Sequence, residues 1–178
     1  IEHRITLDHI INTLSSIAPA AIEQRVRMTL RMGLAQLLYF DRIPDHAAVS
    51  ETVELASRRY RGFVNALLRR YTREGSAIAL PDRERSPLDY LSVRYSFPLP
   101  LCERFVSAYG FDRAERLLAS ADHAPALTLR VNTVKTTARA LCDRLLAAGY
   151  EVTPALHAPH ALRVSGGNPV AMPGFDAG

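Results

Sequence analysis

The sequence predicts an α+β chain: an all-α helical bundle, then a small helical and β-α-β-β subdomain. Three observations carry that prediction. Up to Ala121 the apolar residues recur at helical spacing. Across Leu127-Thr128-Leu129-Arg130-Val131-Asn132 the period drops to two, with the leucines and Val131 on one side and Thr128, Arg130 and Asn132 on the other. From Ser76 to Ser86 periodicity is lost around Pro81 and the alternating charges of PDRER, which divides the chain into residues 1–80 and 81–178.

The first helix is expected over Thr6 to Ile17, with Leu7, Ile10, Ile11, Leu14 and Ile17 on one face. Pro19 interrupts it and belongs to the first turn of the next helix, where a missing N–H costs little. That helix runs from about Ala20 to Phe40 on a stripe of Ile22, Val26, Leu30, Leu34, Leu37 and Leu38, and Gly33 within it permits a close helix approach. Pro44 bars continuation through the connection at 41–46. A third helix is expected from Ala47 to about Tyr60, striped by Val49, Val53, Ala56 and Tyr60. Gly62 resets the chain, and a fourth helix runs from Phe63 to Arg73, before Gly75.

Past the break, Ser86-Pro87 opens a short helix with Ser as N-cap and Pro at the first position. Leu101 to Tyr109 makes another, closing on Gly110. Asp112 and Glu115 have capping-box spacing and start a third, with Ala114, Leu117, Leu118 and Ala121 inward. After the alternating strand, Thr137 to Ala148 is amphipathic through Ala138, Leu141, Cys142, Leu145 and Leu146. Tyr150 to Leu156 and Ala161 to Ser165 read as strands, and GGNP at 166–169 as a turn.

The chain has a net charge of +4, with 11 Arg against 8 acids in residues 1–80 and 11 basic against 10 acidic residues in 81–178, so the excess lies in the first half. That balance favours an anionic partner. The sole lysine is Lys135. Cys102 and Cys142, forty residues apart in helical patterns, form neither a disulfide framework nor a zinc pattern and suit a reducing cytoplasm. No apolar run approaches the ~20 residues that span a bilayer, so no membrane partner is expected. The chain starts at Ile1 and stops at Gly178 in loop sequence, so both ends read as cut.

The strongest local signal is basic. Arg58, Arg59, Arg61, Arg69, Arg70 and Arg73 fall within sixteen residues free of Asp and Glu. Arg69 and Arg73 lie one helical turn apart with Arg70 beside them, and Arg58, Arg59 and Arg61 arrive from the preceding helix end, where the dipole favours cations. Two readings stay open, a phosphate-contact surface or a solvated face. The polar strand face of Thr128, Arg130 and Asn132, continuing to Lys135, is open in the same way. It carries no aromatic and is a poor platform for stacking bases. His157 and His160 lack the further ligands a metal site requires. Gly166-Gly167 lacks the spacing and following helix of a nucleotide loop. By residue chemistry the chain holds no active site.

The segments RMGLAQLLYFDRIPDHAAVSETVELA and RGFVNALLRRY resemble the NusB-like N-terminal domain of bacterial 16S rRNA cytosine-C5 methyltransferases of the RsmB (Sun/Fmu) type. Leu101-Cys102-Glu103-Arg104-Phe105 through Tyr109-Gly110, then Leu127 through Thr136, are similar to the small subdomain preceding that family's catalytic domain. Ala161 to Val164 and Pro173-Gly174-Phe175 fit its end.

The resemblance implies an enzyme that uses S-adenosylmethionine and a cysteine pair, both held by a domain beyond residue 178. No cofactor-binding or catalytic residue is therefore expected in this chain, and neither Cys102 nor Cys142 matches the family's context. It implies a monomer with 16S rRNA and the chain's own catalytic domain as partners. Arg58, Arg59, Arg61, Arg69, Arg70, Arg73, Arg130, Asn132 and Lys135 would be the RNA-contacting residues. The family's bundle has further helices before Thr6, so the bundle here is incomplete. The alternative is a non-enzymatic NusB-type module acting in transcription antitermination, which leaves residues 127–136 without a purpose.

Overall fold

The computed structural model of the chain describes residues 2–75, 78–121 and 126–175. The chain forms two compact units, Ile1–Asp122 and His123–Gly178.

The described part of the first unit is helical: α1 (Arg4–Leu14), α2 (Gln24–Tyr39), α3 (Asp45–Leu55), α4 (Arg61–Glu74), α5 (Pro87–Tyr95), α6 (Leu99–Tyr109) and α7 (Phe111–Ser120). Its main core is built by α1 to α4, where Ile11, Leu30, Leu34, Val64 and Leu68 are fully buried. Each such side chain contributes about 1.5–3 kcal/mol relative to exposure. A Cβ built on Gly33 of α2 would stand 2.8 Å from Thr52 Cγ2 and 3.0 Å from Leu68 Cδ1, so the missing side chain lets α2 meet α3 and α4 closely. Asp8 of α1 receives Arg31 at 2.6 Å and Arg27 at 3.3 Å, which ties α1 to α2. A smaller core of Leu91, Cys102 and Leu118 joins α5, α6 and α7.

Helices α1 and α5 also hold each other. The Ile5 amide donates to Ser96 Oγ at 2.9 Å, and Thr6 Oγ1 donates to the Val93 carbonyl at 2.6 Å. Ser96 is the one described non-glycine residue in the left-handed region, with φ of 59°. These bonds explain why α5 to α7 join the first unit. The compact units divide between Asp122 and His123, whereas the sequence reading divides at 80/81; residues 76 and 77 of that expected break lie outside the described residues.

Several element ends differ from expectation for local reasons. Helix α1 stops at Leu14 because Ser15 turns extended and its hydroxyl bonds both the amide and the carbonyl of Ile17. Pro19 opens a separate 3-10 turn, Pro19–Ala21, and α2 begins only at Gln24. Helix α3 stops at Leu55, and Gly62 lies inside α4 instead of resetting the chain. Pro87 is the first residue of α5, but the Ser86 side chain makes no capping bond. Gly110, at φ of 76°, caps α7 in place of Asp112. The Asp112 and Glu115 carboxylates face Arg83 instead, at 3.5 and 2.7 Å, and the Arg83 guanidinium lies 4.7 Å from the centre of the Phe111 ring.

The described part of the second unit is a three-stranded antiparallel sheet with one α-helix: β1 (Leu127–Arg130), α8 (Ala138–Ala147), β2 (Glu151–Pro154) and β3 (Ala161–Ser165). The strand order is β1-β3-β2, with Leu129 opposite Leu162 and Val152 opposite Val164. Helix α8 starts where Thr137 Oγ1 accepts the Ala140 amide at 3.2 Å, and it buries Leu145 against Val131, Leu162, Val164 and Met172. Leu146, expected inward, is half exposed.

Candidate nucleic-acid interface

The basic segment is not one uniform face. Because α3 ends at Leu55 and α4 begins at Arg61, Arg58 and Arg59 sit in the intervening turn. Arg61 is the first residue of α4, where the helix dipole disfavours a cation, contrary to the expected helix C-terminus. It is offset by Glu54, whose carboxylate lies 2.8 Å away, and by donation to the Ala56 and Glu54 carbonyls at 3.3 Å. Arg59 lies 5.1 Å from the centre of the Tyr60 ring, and the Tyr60 hydroxyl donates to Glu23. That hydrogen bond raises the Tyr60 phenol above its ordinary value.

On α4, Val64, Leu67 and Leu68 are buried and the arginines turn outward, as the stripe requires. Arg70 serves the fold: its Nη1 donates to the Leu14 carbonyl at the end of α1 at 3.1 Å, and its Nε donates to Glu74 at 2.9 Å. Arg69 donates to Asn65 Oδ1 at 3.0 Å. Arg73 stays 69% exposed, 3.5 Å from Glu74. The run of one sign is thus bracketed by Glu54 and Glu74, which hold Arg61 and Arg70. Arg58, Arg59, Arg69, Arg70 and Arg73 are all exposed, and of these Arg70 is tied to the end of α1.

The strand face has a more definite geometry. Leu127 and Leu129 are half-buried and Val131 is buried, while Thr128, Arg130 and Asn132 are exposed, as alternation demands. Asn132 shapes the loop after β1: its Oδ1 accepts the Val134 amide at 3.1 Å and its carbonyl accepts the amides of Lys135 and Thr136 at 3.0 Å. Its side-chain amide is therefore left as a donor. Thr128, Arg130, Asn132, Lys135 and Thr136 line a cavity of about 470 Å³ together with Arg144 from α8 and Phe175 from the C-terminal loop.

Two of those residues escape sequence reasoning. Arg144 belongs to the polar side of α8, and Phe175 appears in sequence only as part of a Pro-Gly-Phe loop. Met172, 5% exposed in the sheet core, anchors that loop, and the Phe175 amide donates to its carbonyl at 3.1 Å. The missing aromatic of the strand face is supplied from 45 residues beyond Arg130.

Cys102 is fully buried, and burial pushes its thiol up. No group of three or more His, Cys, Asp and Glu residues comes together among the described residues. An S-adenosylmethionine cradle does not fit the glycine pair: a Cβ on Gly167 would meet the Tyr150 ring at 2.6 Å, and a 3-10 turn, Pro169–Ala171, follows. No described helix is long and apolar enough to cross a membrane.

Comparison with known proteins matches two stretches of the chain to two families. Residues 1–73 match the NusB family, and residues 97–171 match the RsmF/B-like methyltransferase ferredoxin-like domain. The chain is 35% identical over 156 residues to the probable ribosomal RNA small subunit methyltransferase B of Bacillus subtilis, covering 85% of this chain and 34% of that protein. It is 33% identical to the protein so named in Synechocystis, over 97% of this chain and 40% of the relative. It is 31% identical to ribosomal RNA small subunit methyltransferase B of Escherichia coli, over 97% of this chain and 39% of that protein. The chain thus spans between a third and two-fifths of these relatives. The crystal structure of PH0851 shares the fold, with a TM-score of 0.59 at 20% identity, over 98% of this chain and 40% of that one. The chain joins a domain of the NusB family to a ferredoxin-like domain of the RsmF/B methyltransferase type.

Proposed function

We propose that this chain is the RNA-engaging N-terminal part of an S-adenosylmethionine-dependent 16S rRNA cytosine-C5 methyltransferase of the cytoplasm. The observation that carries the proposal is the order of two domains in one chain, NusB family then RsmF/B-like, alongside relatives named ribosomal RNA small subunit methyltransferase B. On this reading, methyl transfer is carried out outside the residues matched here. This chain contributes position: Arg58, Arg59, Arg69 and Arg73 hold phosphates, and the sheet unit approaches the target strand through Arg130, Asn132 and Lys135. A free-standing antitermination module is disfavoured because residues 97–171 match a methyltransferase-associated domain.

Binding to 16S rRNA fragments tests the reading. Arg69→Glu with Arg73→Glu is expected to weaken binding at least tenfold and to flatten its salt dependence, since each phosphate contact adds about 0.7–0.9 to the log–log slope. Unchanged binding by that double variant sinks the helical grip. Mapping 5-methylcytosine in 16S rRNA from cells lacking the gene tests the enzyme assignment, and an unaltered pattern rejects it.

A further inference from the structure

The cavity of the second unit has a shape and chemistry that point to a ligand of defined size. We infer that it seats one unpaired nucleotide of an RNA strand, the base against the Phe175 ring and the phosphate between Arg130 and Arg144. The inference rests on the proposed RNA role and adds a subsite to it.

The volume of about 470 Å³ falls within the 300–1,000 Å³ of small-ligand pockets, enough for one nucleotide and too small for a paired segment. Among the described residues that line it there is no Asp or Glu. Arg130 stands on β1 and Arg144 on α8, so the two guanidinium groups are carried by regular elements, and neither has a hydrogen-bond or ion-pair partner among the described residues. The Asn132 amide adds donors fixed by the loop bond to Val134. A wall that presents the Arg130, Arg144 and Asn132 donors selects a ligand rich in acceptors, as phosphate, ribose and base edges are.

The ring selects further. Phe175 is 52% exposed although its loop is pinned by buried Met172, so an apolar face is held open to solvent beside two cations. An aromatic beside arginine is the arrangement that stacks an unpaired base and neutralises its phosphate. Bases inside a duplex cannot present a face to it. Leu129, Leu141 and Met172 would also accept an apolar side chain, but the charge of the lining favours a polyanion over a protein segment.

The chain contains no tryptophan, so Phe175→Trp places a single reporter on the ring position. Titration of that variant with an unstructured oligoribonucleotide of roughly ten residues is expected to quench its emission saturably, and an RNA duplex is expected not to. By anisotropy, Phe175→Ala should weaken single-strand binding about 5- to 100-fold with little change in salt slope. Arg130→Gln and Arg144→Gln should each lower the slope by about 0.7. If the unmodified chain binds RNA while the tryptophan stays unquenched and the three variants bind as it does, the subsite is overturned and the wider RNA role survives. Absence of RNA binding by the unmodified chain overturns both. A tryptophan that responds to an acidic apolar peptide and not to RNA makes the occupant a protein segment and likewise overturns the inference.

Discussion

Gly33 and Thr52 meet so closely that no side chain fits between them: a Cβ on Gly33 would lie 2.8 Å from Thr52 Cγ2 and 2.9 Å from its Oγ1. Thr52 is fully buried, and its hydroxyl is the one buried side-chain polar atom without a hydrogen-bond partner among the described residues. A glycine costs helix α2 up to about 1 kcal/mol in propensity. The junction keeps it because overpacking would cost more.

Gly33→Ala is therefore expected to destabilise the chain by about 1–2 kcal/mol, as overpacking outweighs the gain in propensity. Thr52→Ala removes both the blocking methyl and the orphan hydroxyl. Urea denaturation of the single and double variants should show strong coupling, with Thr52→Ala recovering most of the loss. Additive effects would place the strain elsewhere.

Arg70 carries a structural duty that its neighbours do not. Arg70→Gln removes the charged bond to the Leu14 carbonyl at the end of α1 and should cost about 1 kcal/mol. Arg73→Gln, at 69% exposure, should change stability by less than about 0.5 kcal/mol. Thermal denaturation of the two variants side by side measures the contrast. Equal melting temperatures would return Arg70 to the solvent-facing group.

The Arg83 hydrogen bond holds the Glu115 carboxyl below the usual carboxylate range, with smaller help from Tyr90 and Tyr95. A folded value below the unfolded one means that the stabilisation is complete above about pH 4.3 and is lost as pH falls through the folded value. Glu115→Gln should thus melt at a lower temperature than the unmodified chain at pH 7, with the gap closing as the pH falls below about 4.3. A gap that persists undiminished in acid would assign the effect to packing.

The two thiols should differ sharply in reactivity. Cys102 is fully buried with its thiol pushed up by burial, whereas Cys142 is half-buried on α8. Only the thiolate reacts readily, so iodoacetamide at neutral pH should label Cys142 well before Cys102. Mass spectrometry of the native chain reads the order directly. Faster labelling of Cys102 would mean that the core around Leu91 and Leu118 opens frequently.

What sequence could show here was whatever repeats along one element. Leu162 to Ser165 alternates burial in the way its composition suggests, and Val64, Leu67 and Leu68 leave Arg69, Arg70 and Arg73 outside. Partners that depend on tertiary placement stayed hidden. Arg70 reaches a carbonyl 56 residues away, and Arg61 turns back seven residues to Glu54. The Asp112–Glu115 spacing is a capping signal by local rules, yet those carboxylates hold Arg83 from about thirty residues upstream. Phe175 shows the limit most plainly, since no periodicity connects a loop residue to a strand that ends at Arg130.

Strand β3 is the last of the three strands to be synthesised and lies in the middle of its sheet. As the chain leaves a ribosome, β1 and β2 therefore emerge first, and neither is the other's partner. No correct strand pairing can form before Ala161–Ser165 appear, whereas α1 to α4 close a core within the first 74 residues. The helical part can mature early and the sheet must wait. A pause in translation placed between residues 130 and 161 would prolong the exposure of an unpaired β1, the interval in which mispairing with other chains is most costly.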